Sequence, residues 1–140
     1  MTEYQYILCP IIAWFVTGLL KLIVNILRSG FSIAINQIGY GGFPSNHAAI
    51  ITSTLFLILL NKSYDSPSFG IIFTVAIIIL IDAKSLRGQI TKHAMQINKL
   101  NENKFKKNYK LRERIGHTFI DIIGGCFVGF FVAFLIFLIK

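Results

Sequence analysis

Four long apolar segments, Ile7 to Leu27, Ala48 to Leu60, Phe69 to Ile81 and Thr118 to Ile139, constrain this chain more than any other feature. They account for most of its 54% hydrophobic residues, more than the core of a 140-residue water-soluble domain can hide. They suit a bilayer, whose hydrocarbon is crossed by roughly 20 apolar residues of helix. The first and last are near that length. The middle two have about 13 residues each and must borrow length from polar flanks, Ser45 to His47 and Asp82 to Arg87. Such flanks are tolerated at membrane depth only against protein or a water-filled cleft. The expected fold is all-α, a polytopic transmembrane helical bundle of about four spans plus an amphipathic helix, forming a single integral membrane domain over residues 1–140.

Charge is distributed as unevenly as hydrophobicity. The formal net charge is +8, and ten of the fourteen Lys and Arg residues fall between Lys84 and Arg114, against only Glu102 and Glu113. A basic segment between apolar spans, with little aromatic interleaving, points to anionic lipid headgroups and cytoplasmic orientation, and away from nucleic acid. The short linker Asn61 to Ser68 carries no net charge and joins two antiparallel neighbours on the other face. Ile90, Ala94, Ile97 and Asn101 recur at helical spacing, so the third span is expected to continue as an amphipathic helix to about Asn101, with an exposed turn over Asn101 to Tyr109. Met1-Thr2-Glu3-Tyr4 lacks the basic n-region of a signal peptide, so the first apolar segment is expected to be retained. Cys9 and Cys126 lie in apolar runs without CxxC spacing and read as packing residues. Gly125 and Gly129, with Ala133 next in register, allow close approach of another helix.

Ionisable groups in apolar segments are costly and mark function. Lys21, Asn25 and Arg28 are four and seven residues apart, on one helical face; snorkelling to the interface is the bland alternative. Gly39-Tyr40-Gly41-Gly42-Phe43-Pro44-Ser45-Asn46-His47 runs into the second apolar helix. Ser45 or Asn46 can cap that helix, and its free N–H groups form an anion site beside His47. The alternative is a capped loop with an interfacial histidine. His117 and Asp121 open the last helix, four apart on one face, an arrangement in which a carboxylate orients an imidazole; a structural contact at a helix end is the alternative. Asp82 ends the third apolar span, five residues before Arg87, and can neutralise any of these basic groups from behind. The topology brings these groups to one membrane face, where two histidines and several cations suit phosphoryl transfer through a phosphohistidine. Few carboxylates and many cations make a metal site unattractive.

These residues resemble the type 2 phosphatidic acid phosphatase superfamily, and more closely its small divergent bacterial and plant branch, known as acid phosphatase/vanadium-dependent haloperoxidase-related. Lys21 and Arg28 keep the spacing of the first motif, with Ser29 in place of its proline. Pro44-Ser45-Asn46-His47 after Gly41-Gly42 is similar to the second. His117 and Asp121 fit the end of the third, whose arginine position holds Leu111, with Arg112 adjacent. Further likeness lies at Asp82 to Arg87, Gln96-Ile97-Asn98 and Leu111 to Thr118, so the resemblance spans roughly residues 14 to 130.

The resemblance implies an α-helical bundle and a metal-independent lipid phosphatase without cofactors, acting on a lipid phosphate monoester or pyrophosphate. It implies His117 as nucleophile, His47 as general acid and Asp121 as orienter of His117. Lys21, Arg28, Ser45 and Arg112 would bind phosphate, with Asn46 at the same helix start and Arg87 competing with Arg112 for the third-ligand role; Asp82 stands behind them. The basic loop places the site on the cytoplasmic face of what is expected to be a bacterial cytoplasmic membrane, so the substrate partner is a lipid phosphate made on that side. Four short helices bury little surface, which is compatible with a homodimer. The other function class is a non-enzymatic or degenerate membrane protein binding or transporting anions in the same cleft.

Overall fold

A computed structural model describes residues 4–36, 41–62, 64–104 and 110–139. Five helices follow in order: α1 (Gln5–Ser29), α2 (Phe31–Asn36), α3 (Asn46–Lys62), α4 (Pro67–Lys104) and α5 (Phe119–Ile139), with no strand among the described residues. The protein is an all-helical membrane bundle. Three helices, α1, α4 and α5, are long and apolar enough to cross a bilayer. The remaining expected span, α3, has 17 residues, about 25 Å at the α-helical rise.

The short helix α3 is the centre of the bundle, packed against α1, α4 and α5. Centrality explains its composition: a helix touched on several sides needs small residues, and Ala48, Ala49, Thr52 and Ser53 are all buried. Thr52 and Ser53 hide their hydroxyls by donating to the carbonyls of Ala48 and Ile50, at 2.6 and 2.8 Å. The α5 partners are Gly125 and Gly129. A Cβ on Gly129 would meet the Ala49 carbonyl oxygen at 2.6 Å, and one on Gly125 would run into the backbone of Ser45. The pair is therefore a close-packing seam. Towards the other end of the bundle Cys9, Ala13, Leu57, Val132 and Ala133 form an apolar cluster, so Cys9 is a packing residue.

Local signals set the helix ends. Gly30, at φ 80°, closes α1 by donating its N–H to the Ile26 carbonyl at 2.9 Å. The short helix α2 follows at once and lies outside the segments expected from hydropathy. Ser66 caps α4, its Oγ accepting from Phe69 N–H at 3.2 Å, with Pro67 at the first helical position. The 38 residues of α4 are about 57 Å long, far more than the roughly 30 Å hydrocarbon layer, so its C-terminal half extends beyond the apolar stretch. The helix continues as expected, but Ile90 and Ile97 of the expected apolar face are exposed, and the buried side runs through Ala94 and Asn98, the latter bonded to the segment before α5. Helix α4 runs to Lys104, through the start of the turn expected over Asn101 to Tyr109; residues 105–109, like Gly39 and Tyr40, lie outside the described residues.

Candidate active site

The second half of α1, the start of α3, the middle of α4 and the residues just before α5 converge at one end of the bundle. They enclose a cleft of about 610 Å³ whose polar lining includes Lys21, Asn25, Asn46, His47, Arg87 and His117. Each of these side chains comes from a polar flank or an interrupted apolar run. The apolar wall runs along α1 through Trp14, Phe15, Gly18, Leu19 and Leu22. The cleft therefore extends from Lys21 about 10 Å down the membrane-spanning length of α1, seven residues to Trp14 at the helical rise.

Ser45 places His47. It is fully buried and sits at the cap position of α3, its Oγ 3.4 Å from the Ala48 N–H. Its own N–H donates to the Asp121 carbonyl at 2.8 Å, which ties the start of α3 to the start of α5. His47 falls in the first turn of α3, where the helix dipole and free N–H groups favour an anion. Asn46 Oδ1 and His47 Nδ1 are buried and have no hydrogen-bond partner among the described residues.

His117 is placed by a lattice of backbone contacts. Its N–H donates to the Ala83 carbonyl of α4 at 3.1 Å. The preceding Gly116 lies so close to α4 that a Cβ would stand 3.0 Å from Gly88 Cα. Thr91 Oγ1 accepts from the N–H groups of both Ile115 and Gly116, at 3.2 and 3.0 Å. Asn98, two turns further along α4, exchanges two hydrogen bonds with the Leu111 backbone at 2.9 and 2.8 Å and donates to Glu113 Oε1 at 2.8 Å. The extension of α4 is thus a splint for the segment that delivers His117. Gly41 closes the lattice, its N–H donating to the Arg114 carbonyl at 2.7 Å, and a Cβ there would stand 2.7 Å from the Gly116 carbonyl oxygen.

The rings of His47 and His117 stand 5.9 Å apart, centroid to centroid, at 61°. The side chain of His117 is 3% exposed, and its pKa is lowered to about 4, first by burial and then by the charges of Lys21, His47 and Arg87, with Asp121 opposing. His117 is therefore a neutral imidazole across the physiological range, with a free lone pair. Asp121 Oδ2 lies 3.9 Å from His117 Nδ1, an ion-pair distance too long for a hydrogen bond. The same oxygen accepts from the Thr118 N–H at 2.8 Å while Asp121 N–H donates to Thr118 Oγ1 at 3.2 Å, a capping box that starts α5. The direct orienting hydrogen bond expected of Asp121 is absent in this arrangement, because the carboxylate is engaged by the helix cap.

The remaining expected residues separate into two groups. Arg87 lines the cleft, its Nε donating to Asp82 Oδ2 at 3.1 Å, so Asp82 holds this guanidinium from behind. Arg28 and Arg112 are exposed and do not line the cleft. Arg28 is at the last turn of α1, about two turns beyond Lys21 and just under one beyond Asn25. Arg112 sits in the segment that Asn98 pins to α4. Asn98 lies in a stretch that carries the family likeness but is given no role there, and Thr91 has no part in that reading; their seven-residue spacing puts both on one face of α4.

A family model described as the Divergent PAP2 family matches residues 2–132. The uncharacterized membrane protein YuiD of Bacillus subtilis (strain 168) is 31% identical over 104 residues, an alignment covering 64% of this chain and 66% of that protein. The chain thus spans just under two thirds of the length of this curated relative. No solved structure matches. With a match running over nearly its whole length and a helical membrane bundle to carry it, the chain belongs to the Divergent PAP2 family.

Proposed function

We propose that this protein is a membrane-embedded, metal-independent phosphatase that hydrolyses a lipid phosphate monoester or pyrophosphate through a phosphohistidine. The observation that carries the reading is the 5.9 Å separation of the His47 and His117 rings in a cleft that also holds Lys21 and Arg87. One phosphoryl group can touch both imidazoles and both cations at once, which positioning and charge stabilisation of this transfer require.

In the first step the lone pair of His117 attacks phosphorus, the P–N bond forms and the bond to the leaving oxygen breaks. His47, protonated beside the anionic substrate, gives its proton to that oxygen. In the second step His47, now neutral, takes a proton from water as the water oxygen attacks phosphorus; the P–N bond breaks and phosphate leaves. Lys21 and Arg87 neutralise the equatorial oxygens, and Asp121 at 3.9 Å stabilises positive charge that develops on His117. The apolar wall from Trp14 to Leu22 supports a lipid over a soluble phosphate. The basic residues from Lys84 to Arg114 support a site that faces the cytoplasm.

A phosphate-release screen of purified protein over lipid phosphates, with and without chelator, tests the reading. Release by the parent, unaffected by chelator and lost in His117→Ala, is expected. A His117→Ala protein as fast as the parent ends the proposal. Anion-dependent stabilisation without turnover on any lipid phosphate would instead favour an anion-binding protein.

A further inference from the structure

A second groove, of about 600 Å³, lies between α4 and the start of α5 and shares no lining residue with the histidine cleft. It exists because α5 packs chiefly on α3 and α1 and only lightly on α4. Leu80, Ile81, Phe119 and Ile122 make its walls, and Lys84 and Lys92 rise along one ridge of α4. Lys84 Nζ stands over the Phe119 ring, which holds that cation at the groove. Gly88 lies between the two lysines, and a Cβ added there meets no atom within 4 Å, so the groove is open along its polar end. Among the described residues no carboxylate lines it.

We propose that this groove holds one anionic phospholipid of the surrounding bilayer, bound as a resident lipid and not as a substrate. Its acyl chain lies along Leu80, Ile81 and Ile122, and its phosphate sits between Lys84 and Lys92. The two lysines are eight residues apart, about 12 Å of helix, a gap that two flexible four-carbon stems close around a single headgroup. A zwitterionic lipid carries the same phosphate but adds its own ammonium beside two lysines, with no carboxylate among the groove's described residues to receive it, so a lipid of net negative charge is favoured. A second copy of the chain would bring a net +8 surface to an already cationic ridge. An acyl chain beneath a phosphate matches both halves of the groove. The site is independent of the hydrolysis proposed for the histidine cleft.

The test is titration of the full-length protein in zwitterionic detergent with phosphatidylglycerol or phosphatidylcholine, reading bound lipid by native mass spectrometry and the thermal midpoint. One tightly held phosphatidylglycerol and a rise in midpoint are expected, with phosphatidylcholine giving neither. Each lysine near an anionic surface contributes about 1 kcal/mol, or roughly fivefold in affinity, so Lys84→Gln with Lys92→Gln should weaken phosphatidylglycerol binding by roughly 25-fold. Gly88→Leu, which keeps both lysines and grows into open space, should abolish the tight binding and decides the matter if the double variant does not fold. Lys62→Gln, whose ammonium sits over the Tyr6 ring, should change nothing. Equal binding of the two lipids, or a phosphatidylglycerol preference that survives both groove variants, overturns the proposal. So does a parent dimer that Gly88→Leu converts to monomer, since the occupant would then be a second copy.

Discussion

Asp121 Oδ2 accepts a hydrogen bond from the Thr118 N–H at 2.8 Å and at the same time stands 3.9 Å from His117 Nδ1. One carboxylate starts a helix and sets the charge beside an imidazole. Its two duties separate by substitution. Asp121→Asn keeps an oxygen for the cap but removes the charge, so it should lower kcat roughly tenfold to a hundredfold with little loss of stability. Asp121→Ala should lose the same activity and, in addition, about 1 kcal/mol of stability. Thermal unfolding alongside phosphate release distinguishes them.

The pKa of His117, lowered to about 4, fixes the sign of two pH effects. Unfolded histidine takes up its proton near 6.5, so between about 6.5 and about 4 the unfolded state binds more protons than the folded one. Stability should therefore fall as pH drops through that window and be independent of this group above it. The acid limb of kcat/KM, corrected for the second ionisation of the substrate phosphate near 6, should lie near 4. A limb at 6.5 that vanishes in no variant of His47 would contradict a buried neutral nucleophile.

Arg87 lines the cleft and Arg112 does not. Arg87→Ala should reduce kcat/KM by about a hundredfold or more, as loss of a transition-state donor does. Arg87→Lys should recover only part of it, because a point charge replaces a planar fork. Arg112→Ala should stay within about twofold. Steady-state kinetics on one lipid phosphate decides between the two arginines.

The sequence made the spans and the cluster of ionisable groups legible, because both are written in local pattern: apolar runs, two of them near bilayer length, and charges where hydrocarbon forbids them. The choice between Arg87 and Arg112 was not legible. Motif spacing puts Arg112 beside the expected position, whereas the fold clamps residues 111 to 116 along α4 and brings Arg87 to the cleft instead. That clamp depends on contacts 13 to 25 residues apart, between Thr91 or Asn98 and a backbone with no periodicity. The role of Asp121 was half legible: spacing finds its nearness to His117, but the competing capping box appears only when the helix start is fixed at Phe119. Helix α2 was missed since six residues after a glycine carry too short a pattern.

Gly18 faces the apolar part of the cleft, and a Cβ there meets nothing within 4 Å. Gly18→Phe should fill the space an acyl chain would use without disturbing α1. Overpacking of this kind costs roughly 1 to 3 kcal/mol, so KM for a long-chain lipid phosphate should rise about tenfold to a hundredfold. A short-chain soluble phosphate should be affected no more than about twofold. Equal effects on both substrates would place the lipid chain elsewhere.

The histidine pair itself is tested most directly by acid-labile phosphate trapping. Protein mixed with phosphate-labelled lipid and quenched in alkali should carry label that is stable to base and lost in acid. The label should be absent in His117→Ala. In His47→Ala it should form from a substrate with a good leaving group and persist, because the step that activates water has lost its base. Label that survives in His117→Ala, or turnover by the parent with no labelled protein at any time point, would contradict a phosphohistidine at residue 117.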